Sequence, residues 1–397
     1  MRFRARRLRV GIGALAATLI LLALWAAFQH HASPTVRAPT GSAIKDQALD
    51  GRPAKAVARS TTTPKLSGLW VRPSAEVASR NHRRSGFTWI LRLLGATESQ
   101  LDRLTGGDAS AVVKELKEKA QAGDPGAISV IGQVAFLNCR LGRTIGAYKS
   151  RQISEAQALS AADRDWFTST LNDDIDFDKQ LHTVCDQLID TNEVLSWVKA
   201  RADQGDGASL WLLSESGTDM KDQQQRLREA SAAGFALAQY DLALLIDAGD
   251  AGAAGTGADK LGSQELLNQS AKAIPASKAE LAECEYFGQC EGIPVDIDAA
   301  ITHAREASQD GYFSAILAIG PHLPAGQMDP DEVEAWRLLQ ASLLQKGCGG
   351  NIFSVRTVQS ITGTLNANNI TPNSRALAER YWSDYGSQIM ANLGCGS

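Results

Sequence analysis

Leu281 to Gly320, LAECEYFGQCEGIPVDIDAAITHAREASQDGYFSAILAIG, constrains the rest of this chain more than any other stretch. It reads as a short helix, a fixed turn, a second helix and the start of a third. Ser277 and Glu280 have the spacing of an S-x-x-E capping box, which would open the first helix just after Pro275. Gly288 and Gly292 stop that helix, because glycine accepts the left-handed backbone a helix end needs. Asp296 follows the Ile293-Pro294-Val295 step and is placed to cap the second helix, in which Ala299, Ala300, Ala304 and Ala307 recur three to four apart. Small residues at that spacing let two helices approach closely. Gly311 ends the second helix, and Ala315 and Ala318 begin the pattern again.

The pattern recurs along the chain. Ala120-Gln-Ala-Gly123 precedes Ala127, Ala202-Asp-Gln-Gly205 precedes Ala208, Ser231-Ala-Ala-Gly234 precedes Ala238, and Ser308-Gln-Asp-Gly311 precedes Ala315. Gly347 follows Ala341, and Pro275, between Ala271 and Ala279, fills the slot between Gly234 and Gly311. From Gly234 onward the intervals are 41, 36 and 36 residues, within the range of two-helix repeats. The 82 residues from Gly123 to Gly205 have room for two units, the second irregular, and the 29 from Gly205 to Gly234 are few. The order of glycine, G-I-P-V, Asp, Ala, a small pair, Gly and Ala resembles the Sel-one-like repeat, a branch of the tetratricopeptide-like helical solenoids. The resemblance implies an all-α fold, an alpha-alpha superhelix of two-helix repeats, clearest over residues 230–347, and a role in protein–protein interaction. Gly123, Gly205, Gly234, Gly311 and Gly347 would be its repeat turns.

Before the repeats lies a different kind of sequence. Residues 1–9 carry five arginines and no acid, and Val10 to Phe28 is a run of nineteen residues without a charge. At about 1.5 Å per residue such a run spans close to the roughly 30 Å of a bilayer core. The arginines favour a cytoplasmic N-terminus by the positive-inside rule. The alternative is a cleaved secretory signal, but its apolar region is about 7–15 residues long and ends at a small-x-small site; Gln29-His30-His31-Ala32 is a poor one. The expected organisation is therefore a cytoplasmic tail (1–9), a transmembrane signal-anchor (10–28), a flexible basic linker (29–86) and a periplasmic helical-repeat domain (87–397) at the inner membrane. Ser33 to Ser85 holds ten Lys or Arg against three Asp or Glu. It suits either contact with anionic headgroups or a plain spacer. The remainder is strongly acidic, which disfavours nucleic acid as a partner, because phosphate binding needs basic surface.

From Phe87 the sequence is helical nearly throughout. Thr97 with Gln100 forms a second capping box, and Asp329-Pro330 and Thr371-Pro372 each place a cap before a first-turn proline. Two places interrupt the array: the irregular segment 144–190, and the small-residue insertion Asp250 to Gly262. Lys278 is expected on the open face of its helix.

The six cysteines, Cys139, Cys185, Cys284, Cys290, Cys348 and Cys395, lie downstream of the expected anchor, a context that favours disulfides over thiols or metal. Fifteen pairings are possible, and chain order suggests neighbours. Gly288 breaks the helix between Cys284 and Cys290, so the turn can bring Cys290 back. Exported members of the resembled family also staple helix pairs in this way. Buried unpaired thiols are the alternative.

Residue types that carry chemistry are scattered. Asp174, Asp176 and Asp178 open like a calcium loop, but Lys179 stands where glycine is required, so an acidic solvated face is expected. Gly252, Gly255 and Gly257 lack the strand a phosphate-binding loop follows. His182 and His303 stand alone in helices. Trp166, Trp197, Trp211, Trp336 and Trp382 are expected mostly in the core, with one or two available to anchor a partner. No cofactor, metal or catalytic group is expected. The function these features favour is a membrane-anchored adaptor or scaffold. A cell-envelope enzyme or cell-wall-binding protein using segment 144–190 is the alternative, and a spacer without a stable partner is a third reading.

Overall fold

Side-chain caps start the helices and left-handed glycines stop them. The computed structural model describes residues 68–217, 219–247, 262–290, 292–349, 354–367 and 370–395. The expected membrane span, the first part of the linker and most of the Asp250–Gly262 insertion lie outside the described residues. Those residues form α1 (Ala75–Leu93), α2 (Glu98–Thr105), α3 (Ala109–Gln121), α4 (Pro125–Gln133), α5 (Cys139–Glu155), α6 (Ala161–Leu188), α7 (Thr191–Ala202), α8 (Gly207–Ser216) and α9 (Met220–Ala232). They continue with α10 (Ala236–Asp247), α11 (Ser263–Ser270), α12 (Pro275–Phe287), α13 (Ile297–Gln309), α14 (Ser314–Ile319), α15 (Pro330–Gln345), α16 (Val355–Leu365) and α17 (Pro372–Leu393). No strand is present among the described residues, and no helix there is long and apolar enough to cross a membrane.

The caps follow from residue chemistry. Thr97 and Gln100 form a reciprocal capping box on α2, and Asp296, Asp329 and Thr371 accept from the first-turn amides of α13, α15 and α17. The box expected at Ser277 and Glu280 is absent. Pro275 is itself the first residue of α12, so Ser277 lies inside the helix, where its buried hydroxyl shares a 2.7 Å hydrogen bond with Ser270. Gly123, Gly205, Gly234, Gly311 and Gly347 have φ between 80° and 95°. After each, the next amide bonds back five residues, as from Tyr312 to the Ala307 carbonyl at 2.8 Å. That closes a Schellman motif and satisfies helix-end carbonyls.

Helices pair as α3/α4, α7/α8, α9/α10, α11/α12 and α13/α14, each pair with a turn between its members. Second members touch along parts of the row (α4 with α8, α8 with α10, α12 with α14), whereas α10 with α12, and α7, α9, α11 and α13 with one another, make at most sparse contact. One apolar core runs from Leu91 to Ile293, and a second, from Leu69 through Trp336 to Cys395, shares α12 with it.

The irregular segment 144–190 is helical too. It contains most of α5 and all of α6, which pack together, and α6 also packs on α1. Disulfides join Cys139 to Cys185, Cys284 to Cys290 and Cys348 to Cys395. In the chain-entropy model, loops of 46 and 47 residues are worth about 4 kcal/mol each and the loop of six about 2 kcal/mol.

The folded part starts earlier than residue 87. Leu69 is fully buried, and α1 begins behind the Ser74 cap, within the expected linker. The basic residues that hide the apolar period of α1 are engaged in ion pairs: Arg84 with Glu98 and Asp102, Arg92 with Glu98, His82 with Asp174. This N-terminal piece packs against the C-terminal helices. The Ser342 hydroxyl donates to the Leu69 carbonyl, Trp70 to Glu379 at 2.8 Å, Asn81 to the Lys346 carbonyl at 2.9 Å, and Arg92 to the Ala391 carbonyl at 3.0 Å. The stack of pairs is therefore closed at its ends rather than open.

Candidate functional site

The second members α8, α10 and α12 carry acids and aromatics within their apolar runs. Within the apolar sequence of α10, Tyr240 and Asp241, each partly buried, stand together between the buried Leu237 and Ala243. Trp211 of α8 is buried and donates from Nε1 to Asp241 Oδ2 at 2.7 Å. Burial pushes the Asp241 carboxyl up to about 6, against the opposing bond from Trp211. Glu215, four residues after Trp211 on α8, is exposed and sets its charge beside Asp241.

On α12, Glu280, Glu283 and Phe287 are spaced three and four apart, which places them on one side of the helix. Burial pushes Glu280 up to about 7, with further contributions from Glu283 and Asp247. Glu283 is raised by burial too, opposed by the Ser314 hydroxyl of α14. Burial pushes the Tyr240 hydroxyl up, and Tyr312, Glu280, Asp241 and Glu283 act in the same direction. Phe287 and, just before α14, Tyr312 are 40% and 41% exposed. Among the described residues no cation neutralises Glu215, Asp241, Glu280 or Glu283; the charged groups that act on them are other carboxylates.

The acidic triplet of α6 behaves differently from the expected solvated face. Asp174 is fully buried, accepting from Ser79 Oγ at 2.7 Å and bound to His82 Nδ1 at 2.6 Å, with Arg83 at 3.6 Å and Lys149 at 3.7 Å. Lys149 also bonds Asp178 at 2.8 Å, and Asp176 remains an exposed partner of Lys179. Burial pushes the Asp174 carboxyl up, but His82, Lys149 and Ser79 outweigh it and hold it below its usual range. Ser79 gives its hydrogen to Asp174 and is itself buried, so serine and histidine do not form a nucleophile–base pair. The cluster joins α1, α5 and α6.

Other expected positions resolve similarly. His303 bonds Glu285 at 2.8 Å rather than standing alone, and Lys278 bridges Asp310 at 2.9 Å and Glu306 at 3.6 Å rather than lying on an open face. Trp336 is buried and stacks on Tyr381, Trp166 donates to the Pro73 carbonyl, and Trp382 lines a cleft of about 1050 Å³ between α1 and α17. The cations of that cleft are engaged, Arg84 and Arg92 with acids and Lys346 with the Val71 carbonyl. Among the described residues the grouping of metal-type ligands is Asp247, Cys284 and Cys290, and a disulfide consumes both sulfurs.

Sequence reasoning named Glu280 only as half of a capping box and passed over Glu215, Asp241 and Glu283. The available signal was the acids set inside the apolar and small-residue runs of α10 and α12. No family model matches the chain, and no curated protein matches it. Among solved structures it is similar to a protective antigen of uropathogenic Escherichia coli with an SLR fold, at 15% identity and a TM-score of 0.38, covering 72% of this chain and 74% of that one. It is also similar to a Sel1 repeat protein from Oxalobacter formigenes, at 17% identity and a TM-score of 0.36, covering 83% of this chain and 97% of that one. Both are Sel1-like helical-repeat proteins, the family whose repeat the glycine spacing resembles.

Proposed function

We propose that this chain is a helical-repeat adaptor that holds a protein partner against the acids and aromatics of α8, α10 and α12, tethered to the inner membrane with the repeats in the periplasm. One observation carries the binding half: desolvated, un-neutralised carboxylates beside exposed aromatic rings. Such an arrangement costs stability in the free protein and gains it back when a complementary surface arrives. In segment 144–190, Lys149, Asp174 and Asp178 bond one another and α1, a structural use of those three groups. The tether rests on the charge-free run Val10–Phe28 after five arginines, and the periplasmic side on the same arginines together with the cysteine usage.

The tether is tested by a C-terminal reporter fusion, which is expected to be exported and to stay membrane-bound through high-salt and carbonate washing. A soluble mature protein beginning near residue 33 refutes it.

A further inference from the structure

We propose that the cleft between α1 and α17 binds a small molecule made of a flat apolar body and one carboxylate. This site is separate from the helices that carry the adaptor reading and stands or falls independently of it.

Space is the first ground. The cleft encloses about 1050 Å³, at the upper end of the roughly 300–1,000 Å³ of small-molecule sites. Pro73 and Val77 line it on the α1 side, and Trp382, Met390 and Ala391 on the α17 side. Val77 is 43% exposed and Trp382 and Met390 are only partly buried, so apolar surface faces the opening. Such clefts bind by burying an apolar body and fixing it with a few polar groups.

Shape is the second ground. Gly386 is buried within α17, an interior helix position where glycine is unfavourable. A Cβ there would lie 2.9 Å from the Trp382 ring. Without one, the indole lies back along its own helix and presents a flat wall to the cleft. Flat apolar groups stack on such a wall.

Charge is the third ground. Three cations and one acid line the cleft, although the chain has 40 basic residues against 44 acidic ones. Arg84 and Arg92 share Glu98, and Arg84 also reaches Asp102, so those four charges cancel. Lys346 supplies the surplus. Its Nζ donates to the Val71 carbonyl at 2.8 Å and stands 6.0 Å from the centre of the Trp382 ring. The ammonium is therefore fixed beside the same aromatic wall. Burial lowers its pKa, so its charge is held at a desolvation cost that an entering carboxylate offsets. One placement then puts the carboxylate at Lys346 and the body along Trp382 and Met390.

The test uses the purified full chain with its disulfides formed, illuminated with benzoylbenzoate, a photoreactive aromatic carboxylate. Benzoylbenzylamine and plain benzophenone serve as its cationic and neutral counterparts, and peptide mapping locates the label. Benzoylbenzoate is expected to label residues 382–395, about tenfold more than either counterpart, and excess naphthoate should suppress the label. Lys346→Met should lower labelling about tenfold. Lys346 also holds Val71, so Val77→Glu is the second variant. It adds an acid to the cleft in the first turn of α1, where acids favour a helix. It should lower labelling as well while leaving the circular dichroism melt unchanged. If Lys346→Met lowers the melt, Val77→Glu alone decides. Equal labelling by the three probes, label confined to other helices, or label that Val77→Glu does not reduce overturns the site.

Discussion

Gly347→Ala probes the place where the ends of the stack meet. Gly347 follows α15 with φ at 80°, and a Cβ on it would strike the backbone carbonyl of Ala78 in α1. Alanine therefore carries two costs. The left-handed backbone costs about 1 kcal/mol. Displacing α1 costs about 1–3 kcal/mol as overpacking and strains the nearby bonds from Asn81 to the Lys346 carbonyl and from Ser85 to the Gly347 carbonyl, at about 1 kcal/mol each. The expected total is about 4–6 kcal/mol. Gly234→Ala is the matched control: its φ is 81°, and nothing lies within 4 Å of the added methyl, so it should lose about 1 kcal/mol. Urea unfolding followed by far-UV circular dichroism separates the two. With a slope of roughly 3 kcal/mol per molar, their midpoints should differ by about 1–2 M. Equal midpoints refute the docking of α1 against the end of α15.

Two carboxylates should show opposite pH signatures. Glu280 is raised to about 7 in the folded protein, so its contribution is fullest below the ordinary carboxylate range and is lost as pH rises toward 7. Glu280→Gln should therefore stabilise the free protein by about 1–3 kcal/mol at pH 8 and leave it nearly unchanged at pH 4.5, read by thermal melts at the two values. Asp174 is depressed, so its contribution is present at neutral pH and lost as pH falls below the usual carboxylate range. Asp174→Asn should cost about 3–5 kcal/mol at pH 7, because Lys149, 8% exposed, keeps its charge with one acid fewer; a loss below about 1 kcal/mol shows the cluster to be dispensable.

Much of the helix order could be read locally. Thr97 with Gln100, Asp296 and Asp329-Pro330 announce helix starts within four residues of sequence, and glycine announces the stops, because both depend on backbone chemistry next door. Ser277 misled for the same reason: its spacing fits a cap, but Pro275 already occupies the first turn. What sequence could not show depends on distant neighbours. The basic residues of α1 look like linker charge until Asp174, Glu98 and Asp102 are set against them. Glu280 and Asp241 look like ordinary surface acids until neighbouring helices partly bury them.

The meeting of the two ends also sets an order of events during folding. Open repeat arrays can nucleate anywhere and grow by neighbours alone. Here the Leu69 carbonyl waits for Ser342, 273 residues later, and closing a loop of that length costs about 5 kcal/mol in chain entropy. The bond from Ser342 to Leu69 cannot form until α15 has emerged, although α1 can pack on α6 earlier through Ser79, His82 and Asp174. Residues 68–70 therefore settle after α1 does, and a nascent protein stopped before Ser342 would keep Leu69 exposed to whatever binds unfolded apolar segments.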